Sequence, residues 1–201
     1  MTAVNGVFIC IEGLDGSGKS TQAKLLTKKL CKEGYDAFFT AEPSKGKIGC
    51  FIRKRLFDKE RMSPSVEALL FAADRLEHVQ RVIVPALQAG KIVISDRYVY
   101  SSLAYQGCAG LSLDWIDTIN ANAQKPDLSI FIDVAPEIVL KRLKRKKSVM
   151  ENLQTQQRVQ EIYQRYVEKG MLKRVDGSKG KNDVLEELYS TVICHLKLEK
   201  S

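Results

Sequence analysis

Five apolar residues, Val7 to Ile11, lead within one residue into Gly13-Leu14-Asp15-Gly16-Ser17-Gly18-Lys19-Ser20, and Thr21-Gln22 then open a segment of helical period. A strand that ends in a glycine-rich turn and continues as a helix is the setting in which G-x-x-x-x-G-K-[ST] forms a phosphate loop. The glycines let the main chain turn its N–H groups inward around phosphate oxygens, and the helix start adds positive potential. Residues Gly13, Leu14, Asp15, Gly16, Ser17, Gly18, Lys19, Ser20 and Thr21 are therefore the expected cradle for ATP. Lys19 is expected at the β and γ phosphates, with the Ser20 hydroxyl on Mg²⁺.

The rest of the chain alternates in the same way. Further short apolar runs occur at 37–39, 92–94, 128–132 and, more weakly, 172–175. Amphipathic stretches lie between them at 22–30, 48–57, 66–89, 113–123, 137–143, 156–168 and 184–196. In the longest, Val66, Leu69, Ala73, Leu76, Val79, Ile83 and Leu87 recur as one buried face requires, with Ser63-Pro64 to start the helix and Gly90 to end it. Fully apolar strands alternating with helices predict an α/β fold with a parallel sheet covered on both faces, and ligands at the strands' carboxyl ends. At 201 residues and 44% apolar content, one domain spanning 1–201 is expected.

The formal charge of +8 raises a nucleic-acid partner, but the excess is local. Lys141-Arg142-Leu143-Lys144-Arg145-Lys146-Lys147 carries six positive charges, and removing them leaves +2 for the rest. One basic segment on a nearly neutral body fits a small polyanion better than a nucleic acid. It reads either as a solvated face or as a mobile lid, about residues 142–154, that closes on ATP and excludes water. The five cysteines have neither disulfide-framework nor metal-ligand spacing and are expected to be mostly buried in a reducing, cytoplasmic setting. Val7–Ile11 is too short for a secretory leader, and no run approaches the length of a membrane span.

A phosphate loop alone does not separate kinases from GTPases. Gln124-Lys125-Pro126-Asp127 approaches N-K-x-D but precedes its strand, at the wrong end of the sheet, and no D-x-x-G ends a later strand. Two strands end in a carboxylate suited to the magnesium side, at Asp96 and Asp133. Asp96 is preferred because Arg97 follows it, setting a cation beside the transferring phosphoryl group. Arg53, Arg75 and Arg97 suggest an acceptor that is itself phosphorylated, since guanidinium grips phosphate in a bidentate fork.

At this point the residues resemble the thymidylate kinases over nearly the whole chain. The resemblance rests on Gly13–Ser20, Glu42-Pro43, Leu69–Arg75, Ser95-Asp96-Arg97-Tyr98, Ser101–Gly107, Pro126-Asp127-Leu128 and Val175-Asp176-Gly177-Ser178, in order and spacing. It implies a three-layer fold on a five-stranded parallel sheet of order 2-3-1-4-5, a short lid, and a homodimer. It implies transfer of the ATP γ-phosphoryl group to dTMP in dTTP synthesis, with Lys19, Asp96, Arg97 and a lid arginine, Arg142 or Arg145, at the chemistry. It implies that Asp15 receives the 3′-hydroxyl, Phe71 stacks on thymine and Arg75 bonds its carbonyl. Arg53 and Arg97 would hold the acceptor phosphate, and Ser101, Ser102 and Gln106 would lie near the base. Tyr105 would sit under the deoxyribose and reject a 2′-hydroxyl. Ser20 and Asp96 would serve Mg²⁺. Gly16 occupies a position where some relatives carry the catalytic arginine, which points to the lid. Ala41 stands where arginine is often found, and Val149-Met150-Glu151 departs from the usual lid pattern; Lys45, Lys47 or Lys144–Lys147 would then substitute. Another nucleoside monophosphate or deoxynucleoside kinase is the alternative, and a non-catalytic nucleic-acid binder a more distant one.

Overall fold

The computed structural model describes residues 6–56, 62–142 and 152–198. Five parallel strands form one sheet: β1 (Val7–Gly13), β2 (Ala37–Ala41), β3 (Ile92–Asp96), β4 (Leu128–Asp133) and β5 (Lys173–Asp176). Their order is β2-β3-β1-β4-β5, as the family resemblance implies. The central strands are buried nearly throughout because helices cover both faces, which is why they are almost wholly apolar. Their polar residues are concentrated toward the carboxyl ends: Glu12, Ser95 with Asp96, and Asp133. Register aligns these ends, with Ile11 and Ala41 both opposite Asp96.

Helices α1 (Lys19–Lys32) and α9 (Lys181–Leu198) pack together on one face, tied by Gln22 Nε2 donating to the Lys181 carbonyl at 2.9 Å. The other face carries α3 (Pro64–His78), α4 (Val84–Gln88), α5 (Val99–Cys108) and α8 (Leu153–Glu168). Helix α2 (Lys47–Arg55) packs on α3, α6 (Leu113–Ile119) packs on α5, and α7 (Pro136–Arg142) lies beside α8. Phe131 of β4 stacks on Tyr163 of α8 at 4.7 Å, one of the contacts that seat this layer.

The helix expected over 66–89 is continuous but not regular. Ser63 caps it by accepting the Val66 N–H, and Val79–Ile83 form a π turn between α3 and α4. Pro85 explains the irregularity, since its ring cannot fit against the carbonyl four residues back in a regular turn. The expected apolar face holds beyond α3, where Val79 and Ile83 are buried, and is corrected within it. Val66 and Leu69 are 48% and 49% exposed, whereas Ala68, Ala72, Asp74, Arg75 and His78 face inward. The buried side of α3 is largely polar, so a search for apolar period finds the outer side. Helix α5 was not read from the sequence at all, because Ser102, Leu103, Ala104 and Gln106 are all buried and leave no single stripe. The cysteine expectation fails as well: Cys31, Cys50 and Cys194 are exposed and only Cys10 is fully buried, although all five are free thiols. No helix among the described residues is long and apolar enough to cross a membrane.

Candidate active site

The phosphate loop joins β1 to α1 as expected. Gly16 and Gly18 sit at φ 90° and 95°, a left-handed geometry that suits glycine and would strain an arginine at position 16. Lys19 is buried, donates from Nζ to the Leu14 carbonyl at 2.9 Å and lies 3.7 Å from Asp15. Burial first, and then the Arg97 charge, pull its pKa down to about 8, while Asp15 opposes the shift. The Ser17 hydroxyl is buried with no hydrogen-bond partner among the described residues, a donor left over for a phosphate oxygen.

The two candidate carboxylates separate clearly. Asp133 is occupied, accepting Arg174 Nε and Gln160 Nε2, each at 2.7 Å. Asp96 accepts the Ser20 hydroxyl on Oδ2, while its buried Oδ1 has no partner among the described residues. An orphaned carboxylate oxygen beside the phosphate-loop serine fits a hard divalent cation that prefers oxygen ligands and keeps much of its water. No cluster of three or more His, Cys, Asp or Glu that could hold a metal on its own occurs among the described residues.

Arg97 links the end of β3 to the phosphate loop. Its Nη2 stands 2.5 Å from Asp15 Oδ1, its Nη1 donates to Ser101 Oγ at 3.0 Å, and its guanidinium lies 5.1 Å from the Tyr105 ring centre. Tyr105 in turn accepts the Asp15 backbone N–H on its hydroxyl at 3.0 Å. Burial first, then the Asp15 carboxylate, raise the phenol's pKa, so this hydroxyl stays protonated. The structure therefore brings Asp15, Lys19, Asp96, Arg97, Ser101 and Tyr105 to one place.

Arg75 departs from the expectation of a base contact alone. It is 1% exposed, and it donates to Glu42 (2.9 Å), Asn120, the Tyr98 carbonyl and Ser102 (both 3.1 Å). Four of its five N–H donors are thus spent inside the fold. Asp74 accepts both the backbone N–H and the hydroxyl of Ser44 at 2.6 Å, and His78 meets Glu42 at 3.2 Å and Thr40 at 2.6 Å. Together these fasten α3 to the turn after β2, which contains a cis Glu42–Pro43 bond. None of Glu42, Ser44, Asp74, His78 or Asn120 was singled out as a site partner from sequence. Glu42 and Arg75 stood in motifs, but their pairing spans 33 residues and leaves no local trace.

Half-buried Phe71 stands one turn from both Glu67 and Arg75 on α3. The two neighbours join α5: Gln106 Nε2 donates to Glu67 at 3.1 Å, and Arg75 donates to Ser102. Gln106 Oε1 is buried without a partner among the described residues, an acceptor for an incoming N–H. A cleft of about 700 Å³ opens on the β2 side, lined by Ser20, Lys24, Phe39, Lys45, Arg53 and Asp96, among others. It connects Ser20 and Asp96 to Arg53, whose Nη1 donates to the Pro43 carbonyl at 2.5 Å. Lys45 lines this cleft and Lys47 does not. Arg142 ends α7 with an exposed side chain; Arg145, Lys144–Lys147 and most of the candidate lid lie outside the described residues.

A family model described as "Thymidylate kinase" matches residues 11–188. The chain belongs to the thymidylate kinase family. It is 41% identical over 204 aligned residues to a probable thymidylate kinase of Pyrococcus abyssi, covering 98% of each chain. A probable thymidylate kinase of Pyrobaculum aerophilum is 46% identical over 78% of this chain and 80% of its own. A thymidylate kinase of Halothermothrix orenii is 37% identical over 94% and 97%. The thymidylate kinase match thus covers the phosphate loop, Arg97 and α5 together.

Proposed function

We propose that this member of the family transfers the γ-phosphoryl group of ATP to dTMP, giving ADP and dTDP. The observation that carries the reading is the Arg97 guanidinium against Asp15. It supports the reading because a cation suited to the acceptor phosphate then stands beside the loop expected to cradle the donor phosphates. An acceptor phosphate oxygen attacks the γ-phosphorus as the bond to the β–γ bridging oxygen breaks. Positioning and charge neutralisation supply most of the catalysis.

In this reading Lys19 and Arg97 hold the transferring group, Arg53 and Arg97 the acceptor phosphate, and Asp15 the 3′-hydroxyl. Phe71 stacks on the base, with the remaining Arg75 donor, Ser102 and Gln106 on its polar edge, and Tyr105 fills the space a 2′-hydroxyl would need. Ser20 and Asp96 would hold Mg²⁺, which neutralises phosphate charge when bound. One further arginine, Arg142 or Arg145, would add its charge at the transferring group. The exposed Val66 and Leu69 of α3 support a homodimer formed through that face, in a cytoplasmic enzyme.

A substrate panel tests this. With ATP and Mg²⁺, dTMP is expected to turn over fastest, with UMP and thymidine far behind. A faster rate with UMP or thymidine than with dTMP would overturn the assignment.

A further inference from the structure

Glu12, the second-last residue of β1, has no exposed surface and stands one residue before the phosphate loop. Taking a carboxylate out of water is costly unless donors meet its oxygens. Here two of its three donors lead to Arg97. Oε1 accepts the backbone N–H of Tyr98, the residue after Arg97, at 2.9 Å. Oε2 accepts the Ser101 hydroxyl at 2.6 Å, and that same Ser101 oxygen accepts Arg97 Nη1 at 3.0 Å. The Tyr163 hydroxyl of α8 completes the set, 3.2 Å from Oε2.

Arg97 needs such bracing. Its φ of 75° is the single positive value at a non-glycine among the described residues. A bulky side chain holds that backbone only where its surroundings over-determine it. On one side Arg97 N–H donates to the Ile11 carbonyl at 3.0 Å, and on the other the next N–H is held by Glu12. Both anchors belong to β1, the strand that delivers the phosphate loop.

We infer that Glu12 is a positioning residue for Arg97, fixing its turn directly and its guanidinium through Ser101. The inference rests on the phosphotransfer reading above. Glu12 touches no substrate, since it lies fully covered beneath Ser101 and Tyr163. A purely stabilising role does not explain it either. Burial raises the Glu12 pKa, so its contribution to stability is present below the unfolded pKa and lost as pH rises through the folded one. At neutral pH the neutral, isosteric glutamine should therefore fold at least as well. Its amide can still accept the Tyr98 N–H and donate to the two hydroxyls, but it carries no charge.

The test is Glu12→Gln, alone and with Arg97→Ala. The single variant is expected to lose about tenfold in kcat, with KM for ATP nearly unchanged and no fall in melting temperature at pH 7. In the Arg97→Ala background the same change should alter kcat by less than about twofold, because the two act as a unit. Wild-type turnover in Glu12→Gln, a lowered melting temperature accompanying the loss, or an undiminished loss without Arg97 would each overturn the inference. One readout needs no substrate. The Arg97 Nε–H resonance of the ligand-free protein should move or broaden in Glu12→Gln. An unchanged signal overturns the positioning role whatever the acceptor is, whereas a wild-type enzyme inert toward dTMP refutes the functional reading alone.

Discussion

Arg97 and Asp15, 82 residues apart in sequence, meet at 2.5 Å, with side chains 16% and 33% exposed. The contact ties the end of β3 to the phosphate loop and orients the guanidinium before any acceptor arrives. Asp15→Asn keeps the shape and removes the charge. A hydrogen bond to a charged group is worth about 1.5–3 kcal/mol, so kcat/KM for dTMP should fall by about 10- to 100-fold. KM for ATP should change far less, and steady-state kinetics with each substrate varied in turn would separate the two.

Lys19 gives a pH dependence of known sign. Its pKa in the ligand-free fold is lowered to about 8, and only the ammonium form attracts phosphate. ATP affinity should be flat up to about pH 7.5 and then weaken toward pH 9 as the lysine loses its proton. Calorimetric titration across that range checks it. In Lys19→Arg, which stays charged throughout, the slope should vanish even if the affinity is lower overall.

Asp96 has a buried carboxylate oxygen with no partner among the described residues. Asp96→Asn should lower turnover by about a hundredfold or more, in line with the loss of a directly placed charge at a phosphoryl-transfer site. Wild-type protein should melt at a higher temperature with Mg²⁺ and ATP than with ATP and a chelator. That difference should shrink sharply in the variant, as differential scanning fluorimetry can report.

Arg75 predicts a stability effect larger than its expected role at the base would suggest. Arg75→Ala strands the buried Glu42 carboxylate along with Asn120 and Ser102. Removing one partner of a buried pair costs about 3–5 kcal/mol, which corresponds to a drop in melting temperature of roughly 6–20 °C for a chain of this length. Thermal unfolding without ligand isolates this from any loss in substrate binding.

Gly49 allows α2 to approach the turn that carries Ser44. A Cβ at this position would stand 2.1 Å from the Ser44 carbonyl oxygen and 2.6 Å from its nitrogen, both backbone. Gly49→Ala should therefore push α2 outward, costing about 1–3 kcal/mol. Because Arg53 rides on the same helix, KM for dTMP should rise while KM for ATP stays put.

These cases mark what the chain discloses in one dimension. Gly13–Ser20 and Asp96-Arg97 were legible because each is local: a strand end and the turn after it hold the whole motif. The sheet was legible because β1, β3 and β4 are buried on both faces and so written almost wholly in apolar residues. The Arg75–Glu42 and Asp74–Ser44 ties were not, since the partners are 33 and 30 residues apart and charged residues on a helix ordinarily face water. The apolar face of α3 was assigned to the wrong side for the same reason. Helix α5 escaped notice because burial on most of its circumference erases the period that would reveal it.

The π turn at Val79–Ile83 sets a limit on how this helix can vary. Upstream, Arg75 must point at Glu42; downstream, Ile83 must point into the cluster around Phe8 and Val93. One surplus residue reconciles the two by roughly a quarter turn of phase. Deleting exposed Gln80 would remove that surplus residue and leave one of those ends facing the wrong way. The segment can therefore change its residues freely on the solvent side, but its length between the two anchors is quantised.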